Sequence, residues 1–210
     1  MINDFISEIA ECEEFNNVTN QYSSKWKYSK NTRSNLKLYL EAMLILKPKT
    51  LLVGEAPGYK GCRLSGIPFT AEYNLSIEYI MGLIFGFKNG YSVRNIQTMQ
   101  KENSASIVWN ILKELDSFPI MWNAFPFHPY EEGNTESNRK PDKNELIYGS
   151  QILNKIIKIY NVRTIVGVGR TAGNILLKMG YQAKSIRHPS RGGKNEFAYK
   201  MNELKENGEI

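Results

Sequence analysis

Two short apolar runs in this chain break off into turn-prone polar segments, and that pairing limits the folds open to it. Leu51-Leu52-Val53 leads into Gly54-Glu55-Ala56-Pro57-Gly58, and Ser185-Ile186-Arg187 leads into His188-Pro189-Ser190. A strand that ends this way delivers backbone N–H groups and one or two side chains to the carboxyl edge of a parallel sheet. That edge is where open α/β proteins bind ligands. The segments lie far apart in sequence, yet they share one pocket if their strands are neighbours. Gly and Pro alone mark any tight turn. Paired with a strand-terminal His-Pro-Ser, the first segment becomes a strong pointer.

Two more runs read as buried strands: Ile120-Met121-Trp122 after Pro119, continuing into Asn123 to Pro129, and Thr164 to Val168. Helical spacing fills the intervals. It joins Leu36, Leu40, Met43 and Leu44, ending before Lys47-Pro48, then Ile77, Ile80, Met81 and Ile84, then Ile107, Ile111, Leu112 and Leu115. Leu146, Leu153, Ile156, Ile157 and Tyr160 give a fourth face. Ala172, Ile175, Leu176 and Met179 form a short helix that Gly180 stops, and Phe197, Met201 and Leu204 the last. The loop from Gly54 to Thr70 is long and glycine-rich, which predicts function rather than idle connection. Strands alternating with helices predict one α/β domain over residues 1–210, with a small parallel sheet and a helical, basic segment over about 1–48 packed on it.

The formal charge of +6 suits a polyanion, because each neutralised phosphate releases counterions, although many proteins are mildly basic. Ser24 to Arg33 alternates cations with Trp26 and Tyr28, a pattern that fits phosphates and base faces as well as a solvated loop. No run of about 18 apolar residues exists, so no membrane span is expected. The start, Met1-Ile2-Asn3-Asp4-Phe5, has no apolar signal core. Only Cys12 and Cys62 are available as thiols, too few for a structural zinc site or an iron–sulfur cluster. The expectation is a cytoplasmic monomer with reduced cysteines, no metal and no cofactor.

The ordered set Gly54 to Gly58, Pro68-Phe69, Asn123 and His188-Pro189-Ser190 resembles the uracil-DNA glycosylase superfamily. The resemblance runs from about residue 50 to residue 195. It implies a three-layer α/β/α fold around a four-stranded parallel sheet. It also implies an enzyme that flips uracil or a related damaged base out of DNA and hydrolyses its glycosidic bond. On this resemblance His188 donates to the base O2 as negative charge leaves with the base. Phe69 supplies a flat stacking face, and Asn123 offers one amide donor and one acceptor to O4 and N3–H. Gly54 and Ala56 line the pocket, and Glu55, or a backbone carbonyl beside it, holds the attacking water. Ser190 binds a phosphate. The loop Arg191-Gly192-Gly193-Lys194 enters the minor groove, where Arg191 either fills the vacated stack or clamps a phosphate.

Departures from the family pattern matter too. Its best-known branch has an Asp where Ala56 stands and a bulky aromatic, which excludes the thymine methyl, where Gly58 stands. That leaves thymine exclusion to another side chain such as Tyr59, or leaves it weak. The branch sharing Gly-Glu-Ala-Pro-Gly usually carries four cluster cysteines, which this chain lacks. Two alternatives stay open: a DNA-binding relative that has lost catalysis, and a dinucleotide-binding enzyme built on Val166 to Gly173. The second lacks the acidic residue expected about 20 positions on; Arg187 and His188 stand there.

Overall fold

The computed structural model describes residues 1–12, 15–80 and 82–210. The chain begins with α1 (Ile2–Ala10), β1 (Val18–Thr19) and α2 (Ser29–Leu46), then enters the sheet at β2 (Thr50–Gly54). Short helices α3 (Cys62–Ser65) and α4 (Glu72–Leu75) precede α5 (Asn103–Glu114), β3 (Ile120–Asn123) and β4 (His128–Pro129). The rest alternates: α6 (Lys143–Tyr160), β5 (Thr164–Val168), α7 (Arg170–Lys178), β6 (Lys184–Ile186) and α8 (Lys194–Glu206).

The main sheet has the order β3-β2-β5-β6 and every pairing in it is parallel. Helices flank it, so the architecture is the α/β one that the alternation predicts. All five residues of β2 and all four of β3 are buried, as a strand covered on both faces requires. Register pairs Gly54 with Asn123, Val53 with Gly167 and Val168 with Ile186. The strand ends therefore stand side by side. Helix α7 lies close over the sheet because of glycine: a Cβ on Gly167 would sit 2.7 Å from the Gly173 nitrogen. That contact accounts for Gly167 and Gly173, and Gly169 is fitted to its φ of 90°, without a phosphate ligand.

Helix α2 buries Leu36, Tyr39, Leu40 and Met43, and Lys47 ends it in the left-handed region with Pro48 behind it. Helix α6 opens with a capping box between Asp142 and Glu145. Helix α1 lies within the segment expected to be helical, whereas the small antiparallel β1–β4 pair has no signal in the spacing. In α1, Ile2, Phe5, Ile6 and Ile9 form a buried stripe, with the Phe5 ring 5.5 Å from that of Trp122.

Three expectations need correction. Ile77, Ile80 and Ile84 do not share a helix, and Met81 lies outside the described residues. Helix α4 ends at Leu75, and the chain then turns back so that Tyr79 and Ile84 pair as an antiparallel bridge. The turn uses left-handed backbone at Ile80 (φ 51°) and Gly82 (φ 86°), which a helix forbids. A ring cluster decides the matter, with Tyr79 and Phe85 at 4.9 Å and 4.6 Å from Trp109. Helix α5 matches its expected face in part: Ile111 and Leu112 are buried together with Val108 and Trp109, while Ile107 and Leu115 are half-buried. The last strand is Lys184–Ile186, one residue earlier than the apolar run suggests. None of the described helices is long and apolar enough to cross a membrane.

Candidate active site

A cleft of about 600 Å³ opens at the carboxyl ends of the strands. Gly54, Glu55, Ala56, Phe69, Asn123, His188, Ser190 and Arg191 all line it, although they come from four separate stretches of sequence. The β2–β3 pairing continues past the strands, because Ala124 and Phe125 donate backbone N–H bonds to the carbonyls of Gly54 and Glu55 (2.8 and 3.0 Å). This fixes the first turn against the strand that carries Asn123.

Glycine at position 54 is a steric requirement. A Cβ there would lie 2.6 Å from Asn123 Oδ1 and 2.8 Å from Phe69 Cζ. The amide and the ring converge on the space a side chain would fill. Asn123 is buried, and its Nδ2 faces the Cys62 sulfur at 4.0 Å. Burial holds the Cys62 thiol well above its ordinary pKa, so it stays protonated. Phe69 is held at φ 53°, an uncommon conformation for an aromatic residue, and strain of this kind gathers at functional sites. Its ring lies nearly parallel to that of His188, with centroids 6.5 Å apart.

Burial pulls the His188 imidazole below its ordinary pKa, opposed by nearby Glu55, so the ring is neutral at pH 7. Its tautomer follows from its neighbour. The Ser190 backbone N–H can only donate, and it points at Nδ1 from 3.2 Å, with the Ser190 hydroxyl 2.7 Å from the same atom. Nδ1 therefore accepts, and the ring proton sits on Nε2. Beyond Ser190 the chain turns at Arg191 (φ 51°), which is exposed at the cleft. Gly192 and Lys194 are exposed but lie outside the lining.

A family model described as the Uracil DNA glycosylase superfamily matches residues 44–206. The chain belongs to the uracil-DNA glycosylase superfamily. No curated protein matches it by sequence. Among solved structures it is similar to SMUG2 of Pedobacter heparinus, with a TM-score of 0.66 and 16% identity over 100% of this chain and 98% of that one. At that identity the likeness is one of fold. The superfamily comprises glycosylases that act on DNA.

Within this superfamily member several residues in and behind the cleft carry no clear signal in the sequence. His128 is fully buried, with Nδ1 2.8 Å from the Pro57 carbonyl and Nε2 3.3 Å from that of Thr135. Burial, with Arg63 and Arg139 nearby, pushes its pKa down to about 4. A neutral His128 donates through Nδ1 and holds the first turn in place. Asn138 does the same from the 130–140 loop, accepting the Tyr59 N–H at 3.0 Å. Tyr59 itself is absent from the lining, whereas Cys62, Glu102, Lys140, Arg170 and Thr171 belong to it. Lys140, Arg170 and Arg191 give the mouth an exposed cationic rim. Trp26 and Tyr28 are not at this cleft: Arg63 covers one ring at 5.7 Å and Arg94 the other at 5.4 Å. Among the described residues no group of His, Cys, Asp and Glu is arranged to hold a metal. A faint signal for His128 was in the sequence, as a histidine five residues beyond Asn123, but its partner Pro57 is 71 positions away.

Proposed function

We propose that this cleft takes uracil, or a closely related deaminated base, flipped out of DNA and hydrolyses its N-glycosidic bond to leave an abasic site. The observation that carries the reading is His188: neutral, with its proton on Nε2, in the same cleft as the Asn123 amide and the Phe69 ring. Bond cleavage leaves positive charge on the sugar and negative charge on the departing base. A preorganised neutral donor at the base O2 stabilises that charge without itself having to lose a proton. Phe69 stacks on the base, and Asn123 pairs with its O4 and N3–H. Glu55 or a carbonyl of the first turn orients the water.

Arg191, with Gly192 and Lys194 behind it, contacts the opened DNA, and Ser190 holds a phosphate as well as the His188 tautomer. The rim cations Lys140 and Arg170 follow the backbone. Incubation with a uracil-containing oligonucleotide, followed by alkaline cleavage of abasic sites, tests the reading. Release of free uracil without a borohydride-trappable adduct is expected, because water is the nucleophile in this reading. EDTA is expected to have no effect. Lack of excision by the wild-type protein on uracil, in single or double strands, sinks the proposal and favours a relative that only binds DNA.

A further inference from the structure

Among the described residues, Glu72 and Glu145 are the fully buried carboxylates, and both are saturated. Glu72 takes two bonds from the Arg94 guanidinium (2.8 and 2.9 Å) and backbone N–H bonds from Arg94 and Gln100 (both 3.1 Å). Glu145 pairs with Arg139 and accepts the Asp142 N–H at 2.8 Å. Such pairing is what burial of a carboxylate demands. Glu102, half-buried rather than fully buried, breaks the pattern. It lines the cleft, yet its carboxyl has no hydrogen bond and no ion pair among the described residues. It sits at the N-cap of α5 without capping it.

The loop opposite is built around this carboxyl. A Cβ on Gly58 would lie 2.6 Å from Glu102 Oε1, and one on Gly61 would lie 2.2 Å from Oε2. Any side chain at either position would displace it. Gly61 adjoins Cys62, whose sulfur faces the Asn123 amide, so Glu102 stands at the Asn123 end of the cleft. An unpaired carboxyl at that end lacks a partner that a ligand can supply.

We propose that Glu102 is a second base-reading residue, donating a hydrogen bond to the exocyclic oxygen that deamination leaves on the flipped base, beside the Asn123 amide. The inference rests on the function proposed above and names a further group in the same site. Burial with no compensating cation pushes the Glu102 pKa up to about 7, so the donor form is available. In that form the carboxyl donates its hydrogen bond without transferring the proton. As the glycosidic bond breaks, charge builds on the base oxygen and the O–H···O contact strengthens, so the group acts on the transition state more than on binding. An undeaminated base presents an amine there, donor against donor, and is disfavoured.

The test is single-turnover excision from a uracil oligonucleotide by wild type, Glu102→Gln and Glu102→Ala, with thermal melting of each. Glutamine keeps an N–H donor of nearly the same shape, and alanine has none. Alanine is expected to slow excision roughly 10²-fold, the scale for a lost transition-state donor, and glutamine to stay within about tenfold of wild type. Melting temperatures are expected to match. If the alanine variant does not melt cooperatively, Glu102→Leu replaces it, with similar bulk and no donor. Equal losses in the glutamine and donor-free variants overturn the proposal, because that result assigns the carboxylate to water activation. Wild-type speed in the donor-free variant also overturns it, leaving Glu102 as a wall. These outcomes leave the proposed function standing. Absence of excision by wild type removes both.

Discussion

The two strand-terminal turns that form the cleft are secured in opposite ways. The turn from Gly54 to Gly58 is bolted to distant parts of the chain: Ala124 and Phe125 pair with its carbonyls, His128 holds Pro57, and Asn138 holds the adjoining Tyr59. The turn from His188 to Arg191 is held by its own neighbours. His188 bonds to Ser190, the Ser190 carbonyl accepts the Gly193 N–H, and the Arg191 carbonyl accepts from Arg187. One turn is rigid because the fold over-determines it, and the other is a self-contained loop at the surface. A buried pocket that reads a base needs the first kind, and a loop that meets an incoming duplex can be of the second.

Substitutions can break this contrast or sharpen it. The largest effect is expected from His188→Ala, which removes the Nε2 donor. Single-turnover uracil excision should fall by roughly 10²-fold or more, while binding to a non-cleavable uracil analogue changes far less. Equal losses in both assays would make His188 a structural residue and the second turn a mere support. Next comes Gly54→Ala, which strikes the rigid turn. Its methyl must displace Asn123 or Phe69, so urea unfolding should show a loss of about 1–3 kcal/mol, with excision reduced in parallel. Full stability and full activity would mean that the first turn yields more than its bolts suggest.

Arg191→Ala probes the self-held loop. If the side chain fills the vacated stack, excision should suffer most at U·A pairs, about tenfold, less at U·G, and hardly at all in single strands. A uniform loss with a salt slope reduced by about one unit would assign Arg191 to a phosphate instead. The smallest effect concerns pH. The folded pKa of His128 is about 4, below its ordinary 6.5, so the unfolded chain binds more protons between those values. Its contribution to stability is therefore complete above about pH 6.5 and is lost as pH falls towards 4. Glu102, pushed up, acts in the opposite sense, so the measure is the difference between wild type and His128→Asn. That difference should shrink on acidification. A constant gap from pH 7 to pH 4 would remove His128 as the bolt on Pro57.

The parts legible in the sequence are those whose cause is local. The runs at Leu51 and Ile120 show as strands because burial on both faces leaves little room for polar residues. Gly54, Asn123 and His188 show because each stands where a strand ends. What stayed hidden depends on contacts across the chain. Ile77 to Ile84 carries helical spacing, but Trp109 gathers Tyr79 and Phe85 into a ring cluster and the turn follows. The Trp26 segment looks like a stacking surface until Arg63 and Arg94 are seen to cover its rings. Glu102 resembles any surface acid until the fold sets it against two glycines.

The pairing of Gly54 with Asn123 on adjacent parallel strands also has a meaning for quality control. Strand side chains alternate between faces, so a slip of one residue would set Trp122 or Ala124 where Asn123 belongs. The amide would leave the cleft and the glycine gap would face the wrong neighbour. A chain with β3 out of step is thus also a chain without a pocket, and the ability to handle a base is withheld from every misassembled copy.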